Sequence, residues 1–422
     1  LAVLLVFRTF SFSINLPEKL TNTVFTDQIK TVQLYPSEES LSSPVIELNS
    51  DQRLHFSFDD LSNEVKNLYY TIYHCDRNWK LSRIPQQEYL ESFVDFPLED
   101  YEVSINTKVK YLNYQLELPN EDIPLKYSGN YVLVVFDKDN QDEPLITWRF
   151  FVVEQVVDID ARIRSNLFNL EEGKKQEVDF VIRKNGMQIK NSRTDIKVVI
   201  AQNNRFDNAI SNVPPLLEDE TKLEYDYDNE INFTGDNEYR QFEFRSYNFP
   251  GKNVADVSFH EPFYHITLEP DHLRVQERYT FDREINGMYR VEMYKSEYPE
   301  IEADYMFVHF TLKMDQVLAG GGVYVFGALS SWECNKMNEM KWDMEKHQYE
   351  LTLLLKQGFY NYCYAWKDFK ENRIKVNALE GSFAETENDY QLFVYYGKIT
   401  DRYDRLIGYD KFNSLVNRSY LN

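Results

Sequence analysis

The sequence predicts an all-β protein, and three observations carry that expectation. Apolar residues recur with a period of two, the mark of half-buried strands, through segment after segment. Aromatics reach 15% of the chain, from 31 Tyr, 29 Phe and 5 Trp, and such rings suit a pleated surface. At roughly 150 residues per domain, 422 residues divide into about three. The expected architecture is three consecutive Ig-like β-sandwich domains.

Residues 1–7 read LAVLLVF, followed by RTFSFS. Seven apolar residues cannot span a bilayer, which takes about 20. Residues 1–13 read as a signal-peptide remnant with a cleavage site, the alternative being a first strand. With no Cys near the start, export without a lipid anchor is expected. In 111–118, Leu112, Tyr114, Leu116 and Leu118 share one face, opposite Asn113, Gln115 and Glu117. Residues 131–136 form an unbroken apolar run, and 148–153 another, with the polar stretch 137–144 between them, so 131–153 reads as a hairpin. Further strands are expected at 68–73, 177–182, 196–201, 241–245, 288–294, 305–314, 323–326, 349–354 and 360–366. The single helical candidate is 86–93. Acidic 214–232 reads as a long surface excursion. A boundary is placed at 154–162, where the hairpin ends. A second is placed at 314–322, which holds the Gly320–Gly322 cluster. The domains are then 14–155, 156–314 and 315–422.

The 46 Lys and Arg against 69 Asp and Glu leave a net charge of −23. Phosphate backbones and anionic lipid surfaces would repel such a chain, so neither nucleic acid nor direct membrane insertion is expected. The chemistry-bearing patterns are weak. His260 and His265 evoke a zinc-protease helix, but that motif needs a spacing of four. Here the spacing is five with Pro262 between, which on one strand places the rings on opposite faces. Asp137 to Asp142 opens like a calcium loop, yet Asp142 stands where Gly is required and Trp148 where Glu is. There is no nucleophile elbow and no phosphate-binding loop. Gly320–Gly322 leads into VYVF with no lysine to meet a phosphate. No catalytic residue, cofactor or metal ligand is therefore assigned, and the chain reads as a non-enzyme. Among three cysteines, Cys334 and Cys363 are the pair expected to share a domain and so are the candidate disulfide in an oxidising compartment. Three reduced, buried thiols are the alternative.

An ordered succession of blocks then carries a resemblance. It begins with 69–79 (YYTIYHCDRNW), Glu88 to Leu90, 101–107, 111–120 and 128–133. It continues through 204–208 (NRFDN), 235–240 (GDNEYR), 282–287 (DREING), 303–305 and 354–362 (LLKQGFYNY). Together, over about 55–410, these resemble the plug protein family of the type IX secretion system, with 14–155 as its first domain. Asp236 stands where that pattern has Gly, a departure that touches turn geometry. The resemblance implies a periplasmic protein that docks on the periplasmic mouth of a very large outer-membrane β-barrel translocon, with or without its accessory subunits. There it would keep the pore closed between cargo passages without catalysis.

The last domain bears a second, partial resemblance to the glycogen-binding type of carbohydrate module. It rests on 323–327 (VYVFG), Ser331, Trp332, 358–362 and Glu387–Asn388. Under that reading Trp332 is a sugar-stacking platform and Asn388 a polar contact. Cys363 falls where that family often carries Lys, and the second platform Trp has no counterpart. Shared shape without sugar binding is the simpler implication. The alternatives to a plug are therefore a carbohydrate-binding exported protein, or an exported hydrolase with no recognisable motif. With 65 aromatics in the chain, the sequence does not single out translocon-facing residues.

Overall fold

Strand Gly129–Asp137 shows why the chain folds in layers. Every residue from Tyr131 to Phe136 is buried, so both faces of the strand are covered. Tyr131, Leu133 and Val135 enter one core with Phe56, Phe58 and Tyr114. Val132 and Val134 point the other way, into a second cluster with Val199, Phe393 and Tyr395. Strand Asp389–Tyr396 repeats the pattern: Leu392 and Val394 face a third core, while Phe393 and Tyr395 face back to the second cluster.

The computed structural model describes residues 14–90, 94–140, 143–165, 174–227 and 230–420. Its strands form six sheets. Sheet 1 orders Ile29–Pro36, Leu54–Asp60, Leu112–Leu118 and Tyr101–Val103. Sheet 2 is centred on Leu68–Cys75, Gly129–Asp137 and Ile146–Val153. Sheet 3 orders Arg205–Ser211, Ile196–Gln202, Asp389–Tyr396 and Arg405–Asn413. Sheet 4 is built around Asp158–Ser165 and Lys175–Arg183. The shared hydrophobic clusters stack these as four layers, 1 on 2 on 3 on 4. Sheets 5 and 6 make a separate sandwich around Phe242, Met306, Phe310, Val325 and Tyr360. Sheet 5 is organised by the long strand Gly358–Asp368, and sheet 6 by the pair Tyr305–Lys313 and Gln348–Lys356.

Most strands lie where period two puts them, including the hairpin of Gly129–Asp137 with Ile146–Val153. The division near 314–322 does not hold. Tyr305–Lys313 before it and Gly321–Phe326 after it enclose one core. Strand Asp389–Tyr396 meanwhile returns to pair residue for residue with Ile196–Gln202. The third sandwich is thus inserted into the middle one. The acidic stretch 214–232 contributes strands Leu217–Glu218 and Lys222–Tyr225 to the edge of sheet 4, because Leu223 and Tyr225 are core residues. The helical candidate shrinks to one turn, Gln86–Tyr89; residues 91–93, like residues 1–13 and Asp142, lie outside the described residues. His260 and His265 do not share a strand. Residues 261–262 turn between Val254–His260 and Phe263–Leu268, and that hairpin brings the two rings to 4.9 Å between centroids.

Candidate functional site: the junction of three sandwiches

The three sandwiches are joined by buried polar groups. Asp59, at the end of Leu54–Asp60, and Lys356, at the end of Gln348–Lys356, are both buried and meet at 2.6 Å across the first and third sandwiches. Tyr305 donates its hydroxyl to the same Asp59 oxygen at 2.6 Å, and Asn113 donates to the other at 2.8 Å. The Lys356 ammonium also lies 4.3 Å over the Tyr111 ring. Burial lowers the Lys356 pKa from its ordinary value, with Asp59 opposing the shift. Around this pair, Asp304 accepts the backbone N–H groups of Lys108 and Val109 at 2.6 and 3.0 Å, and Tyr111 donates to the Ala303 carbonyl at 2.7 Å. Such a pair contributes little net stability but makes misalignment expensive, because an unpartnered buried charge costs several kcal/mol.

Sheets 2 and 3 supply an apolar seam between the first and middle sandwiches. Phe151 stacks on Phe393 at 4.4 Å, and Tyr395 donates to Asn130 at 2.8 Å. Between the middle and third sandwiches, Arg205 lies 5.1 Å over the Phe326 ring of the third, while its guanidinium reaches Asp207 on its own strand at 2.9 Å and Asp236, on the segment leading into the third sandwich, at 3.1 Å. Asp236 adopts φ +52, the left-handed turn geometry for which Gly is the usual choice, and adds this ion pair.

Asn388, the expected polar sugar contact, belongs to this lock. It is 1% exposed. Its amide donates to Gln176 and to the Gly235 carbonyl at 3.0 and 2.9 Å, and its oxygen accepts from Asn203 at 2.7 Å. Those partners leave it nothing to offer a sugar. Trp332 is half-buried, its ring edge-on to Phe326 and Tyr239, and lines a cavity rather than standing as an open platform. Cys334 and Cys363 are free thiols, as is Cys75, so the candidate disulfide is not formed. Both sit in one apolar cluster with Tyr324, Phe326 and Val376. Burial pushes the Cys334 thiol up to about 12 and Cys363 well above its ordinary value, which keeps both protonated and inert.

Two features went unread in the sequence. At the meeting of the sandwiches lies a cavity of about 420 Å3, lined from all three: Trp148 and Arg149, Phe206 and Phe393, Trp332 and Lys367. Arg149 anchors there by donating its Nε–H to the Leu20 carbonyl at 2.7 Å, with its guanidinium 4.2 Å from the Trp79 ring. The second is a strip of exposed rings on the third sandwich. Tyr247 and Phe259 flank Tyr264, each 4.8 Å away, and Phe249 meets Tyr294 at 5.6 Å. Solvent-facing aromatics of this kind are the usual anchors of protein interfaces. Near the strip, His265 Nδ1 lies 2.8 Å from His309 Nε2. Among the described residues, no group of three or more His, Cys, Asp or Glu side chains is arranged to hold a metal ion. Nor is any helix among them long and apolar enough to cross a membrane.

The family described as type 9 secretion system plug protein 1st domain matches residues 29–154, which is sheets 1 and 2. Among solved structures, a hypothetical protein from Parabacteroides merdae ATCC 43184 is 35% identical with a TM-score of 0.91. That likeness covers 94% of this chain and 99% of that one, so it takes in all three sandwiches. A DNA-bound alkylpurine DNA glycosylase from Pseudomonas fluorescens is 14% identical over 30% of each chain, and its TM-score of 0.18 carries no argument. No curated protein matches. With its first sandwich matched by the family and its whole architecture shared with a 35% identical relative, the chain belongs to the plug protein family of the type 9 secretion system.

Proposed function

We propose that this protein is a non-enzymatic, periplasmic plug that docks on the periplasmic opening of the type IX outer-membrane translocon barrel and seals it. The observation that carries the reading is mechanical. Four stacked sheets and a fifth and sixth locked to them by the buried Asp59–Lys356 pair make one stiff body. A lumen wide enough for folded cargo leaks unless something equally wide and rigid fills its mouth. Filling it requires shape and affinity, not bond-making. Opening is then a shift between plug-bound and cargo-competent states, driven by differential affinity.

The experiment is affinity purification of the tagged protein from cell envelopes, paired with deletion of its gene. A very large outer-membrane barrel is expected to co-purify, and deletion is expected to make the outer membrane leaky to large solutes while the translocon remains. Absence of the barrel from the eluate, or unchanged permeability, overturns the reading. The exposed strip supplies a docking test. Phe249→Ser with Tyr294→Ser leaves the core untouched and is expected to lower barrel recovery at least tenfold, since central aromatic anchors contribute about 2 kcal/mol or more each.

A further inference from the structure

The cavity at the junction has a chemistry its surroundings do not share. The molecule carries a net charge of −23, yet the charged side chains on the cavity wall are Lys19, Arg149, Lys367 and Arg373 against Asp207 and Glu333. Asp207 is already committed to Arg205 at 2.9 Å. Arg149 is 8% exposed, and its Nε and Nη2 donate to Leu20, while among the described residues its Nη1 makes no hydrogen bond and Glu333, whose own pKa burial raises, is the charged neighbour that acts on it most strongly. A buried guanidinium with one edge free is a carboxylate receptor in waiting, because Arg pairs such anions with directional, charge-assisted bonds. Beside it, Trp148, Phe206, Phe393 and Trp332 give the cavity an aromatic lining.

The backbone around the cavity points to the same occupant. Three lining segments belong to strands that, among the described residues, are paired on one side only: Ile29–Pro36 to Leu54–Asp60, Arg205–Ser211 to Ile196–Gln202, and Arg373–Lys375 to Gly358–Asp368. The first two pairings each carry a register shift, between Lys30 and Gln33 and between Ile200 and Gln202. Irregular strand edges beside a cavity are where proteins accept an added extended segment, since unpaired N–H and C=O groups are on offer. A sugar would use the rings but not the strand edges or the excess of positive charge.

We propose that this cavity is a peptide-binding site that takes an extended, acidic segment of another protein, seating a carboxylate on Arg149 and a neighbouring apolar side chain against Trp148 and Trp332. This goes beyond the plug reading and does not rest on it: the test uses purified protein alone, so the two fail separately.

A random decapeptide display library is selected on the immobilised full chain, and enriched sequences are synthesised and titrated by calorimetry. Enriched peptides are expected to share an Asp or Glu two residues from an aromatic or branched aliphatic residue. Replacing that acid by its amide is expected to weaken binding at least tenfold. Arg149→Gln should do the same; because Arg149 also holds Leu20, two further variants keep the test independent of its folding. Arg373→Glu, on an exposed rim side chain, is expected to weaken acidic peptides about tenfold, and Ser42→Trp, which fills the cavity, to abolish binding. Failure to enrich any peptide, enrichment of sequences without an acid, or binding unchanged by Ser42→Trp overturns the proposal. So does saturable binding of oligosaccharides that displaces the selected peptides.

Discussion

At the scale of single residues, the buried charges are the most exacting parts of the molecule. Lys356→Met leaves the Asp59 carboxylate buried and facing only Tyr305 and Asn113. It is expected to cost about 3–5 kcal/mol, read as a lowered urea midpoint, whereas the double change Asp59→Asn with Lys356→Met recovers most of that loss. Two further residues set the response to acid. Burial pushes the His74 pKa down to about 4, although the Ser128 carbonyl on its Nε2 favours the charged ring. Above pH 6.5 the ring is neutral in both folded and unfolded chains. As pH falls from 6.5 to 4, only the unfolded chain takes up the proton, so roughly 3 kcal/mol of stability drains away in that window. Glu380 acts lower. Burial alone would raise its carboxyl, but the Arg240 and Arg274 guanidinium groups and the Tyr364 N–H overcome it and hold it at about 2. Its contribution is complete above pH 4.5 and is lost as pH drops through 2. Unfolding free energies measured from pH 7 to 2 should flatten in the upper window for His74→Gln and in the lower one for Glu380→Gln. None of these roles was legible in the sequence, where charges in a −23 chain read as solvated surface and His74 as part of a family block.

At the scale of elements, the informative strands are those without alternation. The unbroken apolar run 131–136 is a strand buried on both sides, and its two coverings are sheets 1 and 3. Phe393→Ala removes the ring stacked 4.4 Å from Phe151 and is expected to cost about 3–5 kcal/mol in chemical denaturation. The turn at 286–287 shows a different constraint. Gly287 sits at φ +75, and a Cβ there would lie 2.3 Å from the Trp332 ring and 2.7 Å from Tyr239. Gly287→Ala is expected to destabilise by about 1–3 kcal/mol. Combined with Trp332→Ala it should cost less than the sum of the single changes, because the second removes what the first strikes. Trp332 was legible as a residue of consequence, but its partners were not: an aromatic beside a Gly-rich strand looks the same whether it faces a sugar or packs on Tyr239.

At the scale of the whole molecule, the stacking of sheets 2 and 3 couples two sandwiches that a linear reading separates. Amide hydrogen exchange followed by mass spectrometry should report comparable protection for Gly129–Asp137 and Asp389–Tyr396, and Phe393→Ala should lower both together. A loss confined to Asp389–Tyr396 would mean that the sandwiches open independently, and the stiffness invoked for sealing would be gone. The same coupling places the cavity, since no single sandwich encloses it: Trp148, Phe206 and Trp332 lie in three different ones.

The all-β class, most strand positions and the family were determined by the sequence alone, because side-chain period and ordered motif blocks are local properties written along the chain. The insertion of the third sandwich into the middle one, the free state of Cys334 and Cys363, the burial of Asn388 and the cavity around Arg149 were decided only in three dimensions. Period two says that a segment is a strand and which residues share a face. It does not say which partner that face meets when the partner, as with 196–202 and 389–396, lies nearly two hundred residues away.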